Sequence, residues 1–379
     1  MKKKQFLWLM IAIGILSTGS GCDTVKPVST TQEIPTAEET NLVTTAPVSE
    51  GEQPAETTTV PQIADVLTTA ATTPTTTGEE YEDTSLVELL MGQMTLEQKV
   101  CQMFIVTPES LTGYNGAVTE AGALSKESFT AYPVGGLIYF SDNLEDAPQT
   151  VSMLSTMQDY AQETTGVGLF LSVDEEGGTV VRVSKYPAFR DTPFLSPQEL
   201  YAQGGWDGVY QETIEKGNLL KSLGINLCLA PVADISNNPN DYIYERTFGG
   251  SAEDTSQFIE ISTKAYRETN IGCTLKHFPG YASNLNTHNG SSVDNREKSQ
   301  FYGNDLKPFQ TGIDAGAPVV MVNHNIVSCF DAENPASISP EVHSVLRKDL
   351  HFSGLICTDS LDMGATKNIT DVYLKAVDA

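Results

Sequence analysis

Seven nearly continuous apolar runs recur along the chain from about residue 100 onward. The runs are VCQMFIVTP (100–108), VGGLIYF (134–140), GLFLSVD (168–174), INLCLAPVAD (225–234), CTLKHF (273–278), PVVMVNHNI (318–326) and GLICTDSL (354–361). Runs of this kind are typical of strands that are covered on both faces. They predict a sheet that is buried between layers of other secondary structure.

The segments between these runs have the pattern of helices. Examples are SLVELLMGQMTLEQKV (85–100), SQFIEISTKAYRET (256–269) and SPEVHSVLRKDL (339–350), each opening on a serine. Strands that alternate with helices predict a parallel sheet. No Gly-x-Gly-x-x-Gly follows the first strand, and polar residues end many of the strands. Both features favour an α/β fold of the (β/α)8 TIM-barrel type over a doubly wound sheet.

The predicted barrel domain spans residues 86–379, and the chain ends at LKAVDA, shortly after the seventh run. We therefore expect the barrel to lack its last β/α unit in this chain, so that either the chain is a fragment or the barrel closes in another way. A seven-stranded sheet would have two unpaired edge strands.

The first 22 residues predict a lipoprotein-type signal peptide. Lysines at positions 2–4 precede an apolar run, residues 6–16, that is too short for a good membrane span, and small residues lead to Cys22. In this interpretation Cys22 becomes the lipidated first residue, and a lipid anchor holds the protein at the extracellular face of a bacterial cell membrane. The alternative is cleavage nearby, with Cys22 incidental.

Residues 23–85 are rich in Thr, Pro and Glu and contain almost no aromatic residue. Such a segment cannot bury enough apolar surface to order itself. As a coil of about 60 residues it would have a root-mean-square reach of roughly 45 Å. We predict a disordered tether between the lipid anchor and the barrel.

The chain carries a formal net charge of -27 at pH 7, and no cluster of Lys and Arg lies outside the signal segment. This charge argues against nucleic acid as a partner and favours ligands that are approached through neutral groups. Most of the remaining cysteines lie inside apolar runs, where we expect small core residues. We expect a monomer.

Polar side chains lie at the ends of five predicted strands. They are Asp174, Asp234, Lys276 with His277, Asn323 with His324, and Asp359. In a barrel the carboxyl ends of the strands form the face that carries the active site. Single residues of this kind can merely satisfy backbone groups, but their presence on five strands favours a common site.

A carboxylate at a barrel mouth can be a metal ligand or a nucleophile. Asp359 directly follows a strand, whereas His288 lies in the loop after KHFPG and could move over a substrate. A fixed carboxylate and a mobile imidazole suit double displacement at an anomeric carbon. Asp359 would attack, and His288 would protonate the leaving oxygen and then activate water. Lys276, Arg246 and Asp174 would hold hydroxyl groups of the sugar.

These motifs together resemble family 3 glycoside hydrolases, in the bacterial β-N-acetylglucosaminidase branch. The similar runs are VDEEGGTVVR (173–182), LAPVADI, ERTFG (245–249), KHFPG, Thr287 with His288, PASISP (335–340) and GLICTDSLDM (354–363). They occur in the expected order over about residues 86–379.

The resemblance implies that Asp359 is the nucleophile and His288 the acid/base. It implies sugar binding by Asp174, Arg246, Lys276 and His277. The implied substrate is a terminal β-linked N-acetylglucosamine from cell-wall-derived glycans, and no metal or other cofactor is expected. In this branch the acid comes from a loop of the barrel itself, not from a second domain.

One position departs from the family pattern, which usually reads D-[ST]-H where this chain has Asn286-Thr287-His288. Asparagine can orient the imidazole but cannot stabilise its protonated form as a carboxylate would. We predict a lower pKa of His288 and weaker acid catalysis than in relatives. The alternative hypothesis is a catalytically impaired sugar-binding lipoprotein.

A third hypothesis is a metal-dependent barrel hydrolase that uses His277, His288, His324 and Asp359. The first strand, however, ends in IVTP, whereas that class is expected to have His-x-His there.

Overall fold

The computed structural model describes residues 86–281, 286–287 and 290–366, and Cys22 and His288 lie outside these ranges. The strands are β1 (Ile105–Val106), β2 (Gly136–Tyr139), β3 (Phe170–Val173), β4 (Leu227–Cys228), β5 (Gly272–Phe278), β6 (Val293–Asp294), β7 (Val319–Val322), β8 (Ile326–Val327) and β9 (Leu355–Thr358). Seven of them form one curled sheet in the order β1-β2-β3-β4-β5-β7-β9, and every neighbouring pair is parallel. The predicted α/β fold with a parallel barrel-type sheet is confirmed.

Helices occupy most connections between the strands. They are α1 (Leu86–Gln93), α2 (Leu96–Cys101), α3 (Pro108–Thr112), α4 (Ala123–Ala131), α5 (Ala147–Thr165), α6 (Pro197–Ser222), α7 (Ala252–Thr269), α8 (Lys298–Gln300), α9 (Leu306–Asp314) and α10 (Pro340–Ser344). Turns of π-helix follow α8 at Phe301–Asp305 and α10 at Val345–Asp349. In the part of the chain that the structure describes, no helix is long and apolar enough to cross a membrane.

Two helices differ from their predicted bounds, and a capping residue explains each difference. The helix predicted over residues 85–100 is two helices, because Thr95 caps the start of α2. The helix predicted from Ser256 starts a turn earlier, at Ala252, with Ser251 as its N-cap. The prediction of a helix after Ser339 with proline at its first position is confirmed.

Only the middle of the first apolar run, residues 100–108, is a strand, since its first two residues end α2, Ile105–Val106 joins the sheet and Pro108 begins α3. The run therefore contains the end of a helix, a turn and a short edge strand. A nearly continuous apolar run cannot by itself distinguish a buried strand from a buried helix segment.

Side chains on alternate strand positions divide between the inside of the barrel and the surrounding helices. A small cluster made only of strand and strand-end residues fills the inside, and its members are Leu227, Leu229, Val319 and Met321, with Ile138 and Cys357 packed against them. Strand side chains repeat every two residues. The side chain of Phe140 therefore points to the same face as that of Ile138, and the side chain of Asp359 to the same face as that of Cys357. Phe140 and Asp359 lie closer to the mouth of the barrel.

Candidate active site

Asp174 directly follows β3 and faces the mouth of the barrel. Its Oδ1 accepts a hydrogen bond from Nζ of Lys276 at 2.7 Å, and its Oδ2 lies 3.6 Å from Nη2 of Arg182. The side chain of Lys276 is 2% exposed, whereas that of Asp174 is 15% exposed. The carboxylate is therefore the member of this pair that is more accessible to a ligand.

Glu176 forms ion pairs with Lys276 and Arg246, which lie in different segments of the chain. Arg246 donates to it through Nε at 2.9 Å and Nη2 at 2.7 Å, and Nζ of Lys276 lies 2.6 Å from its Oε1. Burial by itself would raise the pKa of Glu176, but the charges of Lys276 and Arg246 outweigh burial and hold this pKa far below its ordinary value. Burial would lower the pKa of Lys276, but Asp174 and Glu176 raise it. The cluster therefore keeps its charges at neutral pH.

A bulge in β5 places two neighbouring side chains in the same site. The register with β7 shifts between Lys276 and Phe278, and a bulge of this kind changes the direction of a side chain. Nδ1 of His277 lies 2.7 Å from Oδ2 of Asp234, and Nε2 lies 3.1 Å from Nη2 of Arg246. Since a guanidinium group only donates, Nε2 accepts and Nδ1 carries the proton. His277 therefore contacts Arg246 directly.

Asp234 organises the end of β5. It is 1% exposed and accepts hydrogen bonds from the backbone N–H groups of His277 at 3.0 Å and Tyr281 at 2.7 Å. The sequence leaves open whether Asp234 contacts the sugar or orients its neighbours. These hydrogen bonds, together with the one to the His277 ring, assign it the orienting role.

Asp359 directly follows β9 and is held by backbone groups. Its N–H donates to the carbonyl of Val322 at 2.8 Å, and its Oδ1 accepts from the N–H of Ser360 at 2.9 Å. Burial by itself would raise the pKa of Asp359, but interactions with His277 and His324 and the hydrogen bond from Ser360 lower it below its ordinary value. The carboxylate is therefore ionised at neutral pH, as a nucleophile requires.

His324 is buried beside Asp359. Nδ1 accepts from the hydroxyl of Ser337 at 2.7 Å, and Nε2 donates to the carbonyl of Ser360 at 2.8 Å. His324 therefore fixes the residue that follows Asp359. Within the described ranges, no group of three or more His, Cys, Asp or Glu side chains is placed to hold a metal ion.

The loop after β5 is anchored immediately before the proposed acid/base. Thr287 is fully buried, its hydroxyl is hydrogen-bonded to that of Tyr281, and its carbonyl accepts from the N–H of Ala365 at 2.9 Å. Tyr281 is itself buried. Asn286 lies at the start of this anchor, and the role of His288 stays a prediction because it is outside the described residues.

Two residues of the site, Glu176 and Arg182, are not identified by the strand-end pattern of the sequence. Both lie in VDEEGGTVVR, the run from which only Asp174 is selected. Glu175, which precedes Glu176, is buried and accepts from the backbone N–H groups of Arg182 at 2.8 Å and Val183 at 2.7 Å. These hydrogen bonds fold the run back, so that residues beyond the strand end also reach the site.

Comparisons with known proteins agree with this geometry. Residues 95–379 match the family described as Glycosyl hydrolase family 3 N terminal domain. The chain belongs to this family. Among solved structures of family 3 proteins, it is similar to a β-N-acetylglucosaminidase from Paenibacillus sp. str. FPU-7, with 30% identity, a TM-score of 0.69 and coverage of 76% of this chain and 53% of that chain.

Two further relatives differ in how much of their length this chain covers. Beta-hexosaminidase A of Pseudoalteromonas piscicida is 29% identical over 271 residues, which are 67% of this chain and 44% of that protein. The β-N-acetylhexosaminidase of Beutenbergia cavernae DSM 12333 has 26% identity, a TM-score of 0.64 and coverage of 73% of this chain and 81% of that chain. The chain thus spans less than half of the first relative and about four fifths of the second.

Proposed function

We propose that the protein is an exo-acting β-N-acetylglucosaminidase that works by retaining double displacement. The observation that carries this proposal is the ionised carboxylate of Asp359, held on backbone groups beside the cluster of Asp174, Glu176, Lys276 and Arg246. The names of the family 3 relatives, β-hexosaminidase and β-N-acetylglucosaminidase, support the substrate class.

In this proposal each charged group has a separate task. Asp359 attacks the anomeric carbon and forms a covalent glycosyl-enzyme intermediate. His288 protonates the leaving oxygen and then removes a proton from the attacking water. Lys276 and Arg246 donate hydrogen bonds to sugar hydroxyls, and Asp174 accepts them. Since these three side chains are already fixed by ion pairs, little ordering is lost when the sugar binds.

The first test compares two substrates with the wild-type chain and Asp359→Asn. p-Nitrophenyl β-N-acetylglucosaminide has a leaving group that needs little protonation, whereas a β-linked N-acetylglucosamine disaccharide also needs the acid. We expect turnover of both by the wild type, loss of both in Asp359→Asn, and the β-anomer as the first product in NMR spectra. Release of the α-anomer first would contradict the retaining mechanism.

The second candidate is a sugar-binding protein with impaired catalysis, and Asn286 is the observation that favours it. Turnover of the nitrophenyl substrate alone would place the defect at the acid. Binding of N-acetylglucosamine without turnover of either substrate, in a folded protein, would establish the binding function and contradict the glycosidase.

We further propose that the protein is a monomer, anchored through a lipid on Cys22 at the extracellular face of the bacterial membrane, where it acts on cell-wall-derived glycans. Cys22 at the end of an apolar, small-residue segment supports this location. In cells, a labelled fatty acid should be incorporated into the wild type and not into Cys22→Ser. Equal labelling of the two would contradict lipidation at this residue.

A further inference from the structure

Phe140 is an exposed aromatic residue at the mouth of the barrel. It directly follows β2, and the residue is 40% exposed. Tyr139 pairs in register with Val173, so Phe140 lies beside Asp174 on the neighbouring strand. The alternation that places Ile138 inside the barrel directs Phe140 toward the same mouth as Asp174.

The backbone at Phe140 is fixed although its ring is exposed. Its N–H donates to Oδ1 of Asn143 at 2.8 Å. Nδ2 of Asn143 in turn donates to Oε1 of Glu109 at 2.6 Å and to the carbonyl of Val118 at 3.0 Å. An exposed ring on an anchored backbone loses little conformational entropy when it contacts a ligand.

Arg182 connects this ring with the charged cluster. Its guanidinium carbon lies 5.2 Å from the centre of the Phe140 ring, and its Nη2 lies 3.6 Å from Oδ2 of Asp174. Among the described residues, the buried Nε of Arg182 has no hydrogen-bond partner. Apolar and polar groups therefore converge on the volume beside Asp174, a combination typical of ligand sites.

We infer that Phe140 is a substrate-contacting residue whose ring packs against the apolar face of the terminal sugar. This inference rests on the proposed function. A pyranose has hydroxyl groups around its rim and C–H groups on its faces, so that it needs polar partners at its edge and an apolar surface against a face. Asp174, Lys276 and Arg246 supply the polar partners, and Phe140 supplies an apolar surface next to them.

The test compares Phe140→Ala and Phe140→Tyr with the matched control Phe170→Ala. Phe170 is 39% exposed and begins β3, so it lies at the end of the sheet opposite to Asp174. We expect Phe140→Ala to lower kcat/KM about tenfold through KM, as expected when roughly 1.4 kcal/mol of contact is lost. The loss should be equal for the nitrophenyl substrate and the disaccharide, because both contain the terminal sugar. Phe140→Tyr keeps the aromatic face and should lose less than Phe140→Ala, whereas Phe170→Ala should retain wild-type values.

A binding measurement separates this inference from the proposed function. Calorimetry with N-acetylglucosamine should show about tenfold weaker binding to Phe140→Ala than to the wild type, even if neither protein hydrolyses a substrate. Unchanged binding and KM in Phe140→Ala would overturn the inference. A loss confined to the disaccharide would also overturn it, because the ring would then contact the leaving group and not the terminal sugar.

Discussion

Glu176 determines how the charged residues of the site are arranged, although Asp174 is the residue that the strand-end pattern identifies. Glu176 is paired with both Lys276 and Arg246, whose side chains come from different segments of the chain. Removing one partner of a buried ion pair leaves an uncompensated charge. Glu176 therefore connects the stability of the fold with the geometry of the site.

We predict that Glu176→Gln lowers the free energy of unfolding by about 3 kcal/mol at pH 7, because Arg246 loses its carboxylate partner. The pKa of Glu176 is depressed in the folded state, so its contribution to stability is present above the unfolded value of about 4.3 and is lost as pH falls through the folded value. Urea unfolding should therefore show a difference between the two proteins that shrinks below about pH 4. A difference that is constant from pH 7 to pH 3 would contradict this role.

Asn286 is the position at which the proposed acid catalyst, His288, can be tested without changing the proposed nucleophile, Asp359. A carboxylate near His288 favours the protonated imidazole, so Asn286→Asp should raise the pKa of His288. We predict that the alkaline limb of the disaccharide pH profile moves to higher pH and that turnover rises about tenfold or more. The nitrophenyl substrate should change little and is the control. A decrease with both substrates would mean that the loop is adapted to asparagine.

The loop between β5 and β6 is held at a few points, and Tyr281 is one of them. Its N–H is held by Asp234 and its hydroxyl by Thr287, so it connects the end of β5 with the residue before His288. The residue that precedes the proposed acid is thus held by the strand that also carries Lys276 and His277.

We predict that Tyr281→Phe lowers the free energy of unfolding by about 1–2 kcal/mol, since the buried hydroxyl of Thr287 loses its partner. If the anchor positions the acid, disaccharide turnover should fall more than nitrophenyl turnover. Thermal unfolding and the two rates separate these effects. Equal losses with both substrates would indicate a general change of the site and not a displaced acid.

The charge of the whole molecule should affect which substrates reach the site. A protein with a net charge of -27 repels anionic glycans over a distance that salt reduces, from roughly 30 Å at 0.01 M to about 10 Å at 0.1 M. We predict that kcat/KM for a carboxylate-bearing cell-wall fragment rises a few-fold with added salt over this range. The neutral disaccharide is the control and should change little, whereas equal responses would show that the net charge does not select substrates.

Parts of the fold that depend on local sequence are predictable. Each of the seven apolar runs contributes a strand to the sheet, and Ser339 with Pro340 begins a helix as expected. Boundaries are less predictable, because a cap such as Thr95 can interrupt an apolar pattern that reads as one element. Local patterns therefore predict which elements exist better than they predict where the elements end.

The amino-acid sequence by itself determined the alternation of strands and helices, the parallel sheet and the strand ends that carry Asp174, Lys276 and Asp359. These features follow from side-chain periodicity, which acts over a few residues. Only the tertiary structure decided that Glu176 and Arg182 belong to the site and that Asp234 orients His277. Those contacts depend on a folded-back loop and on a bulge in β5, which bring together residues that are distant in sequence.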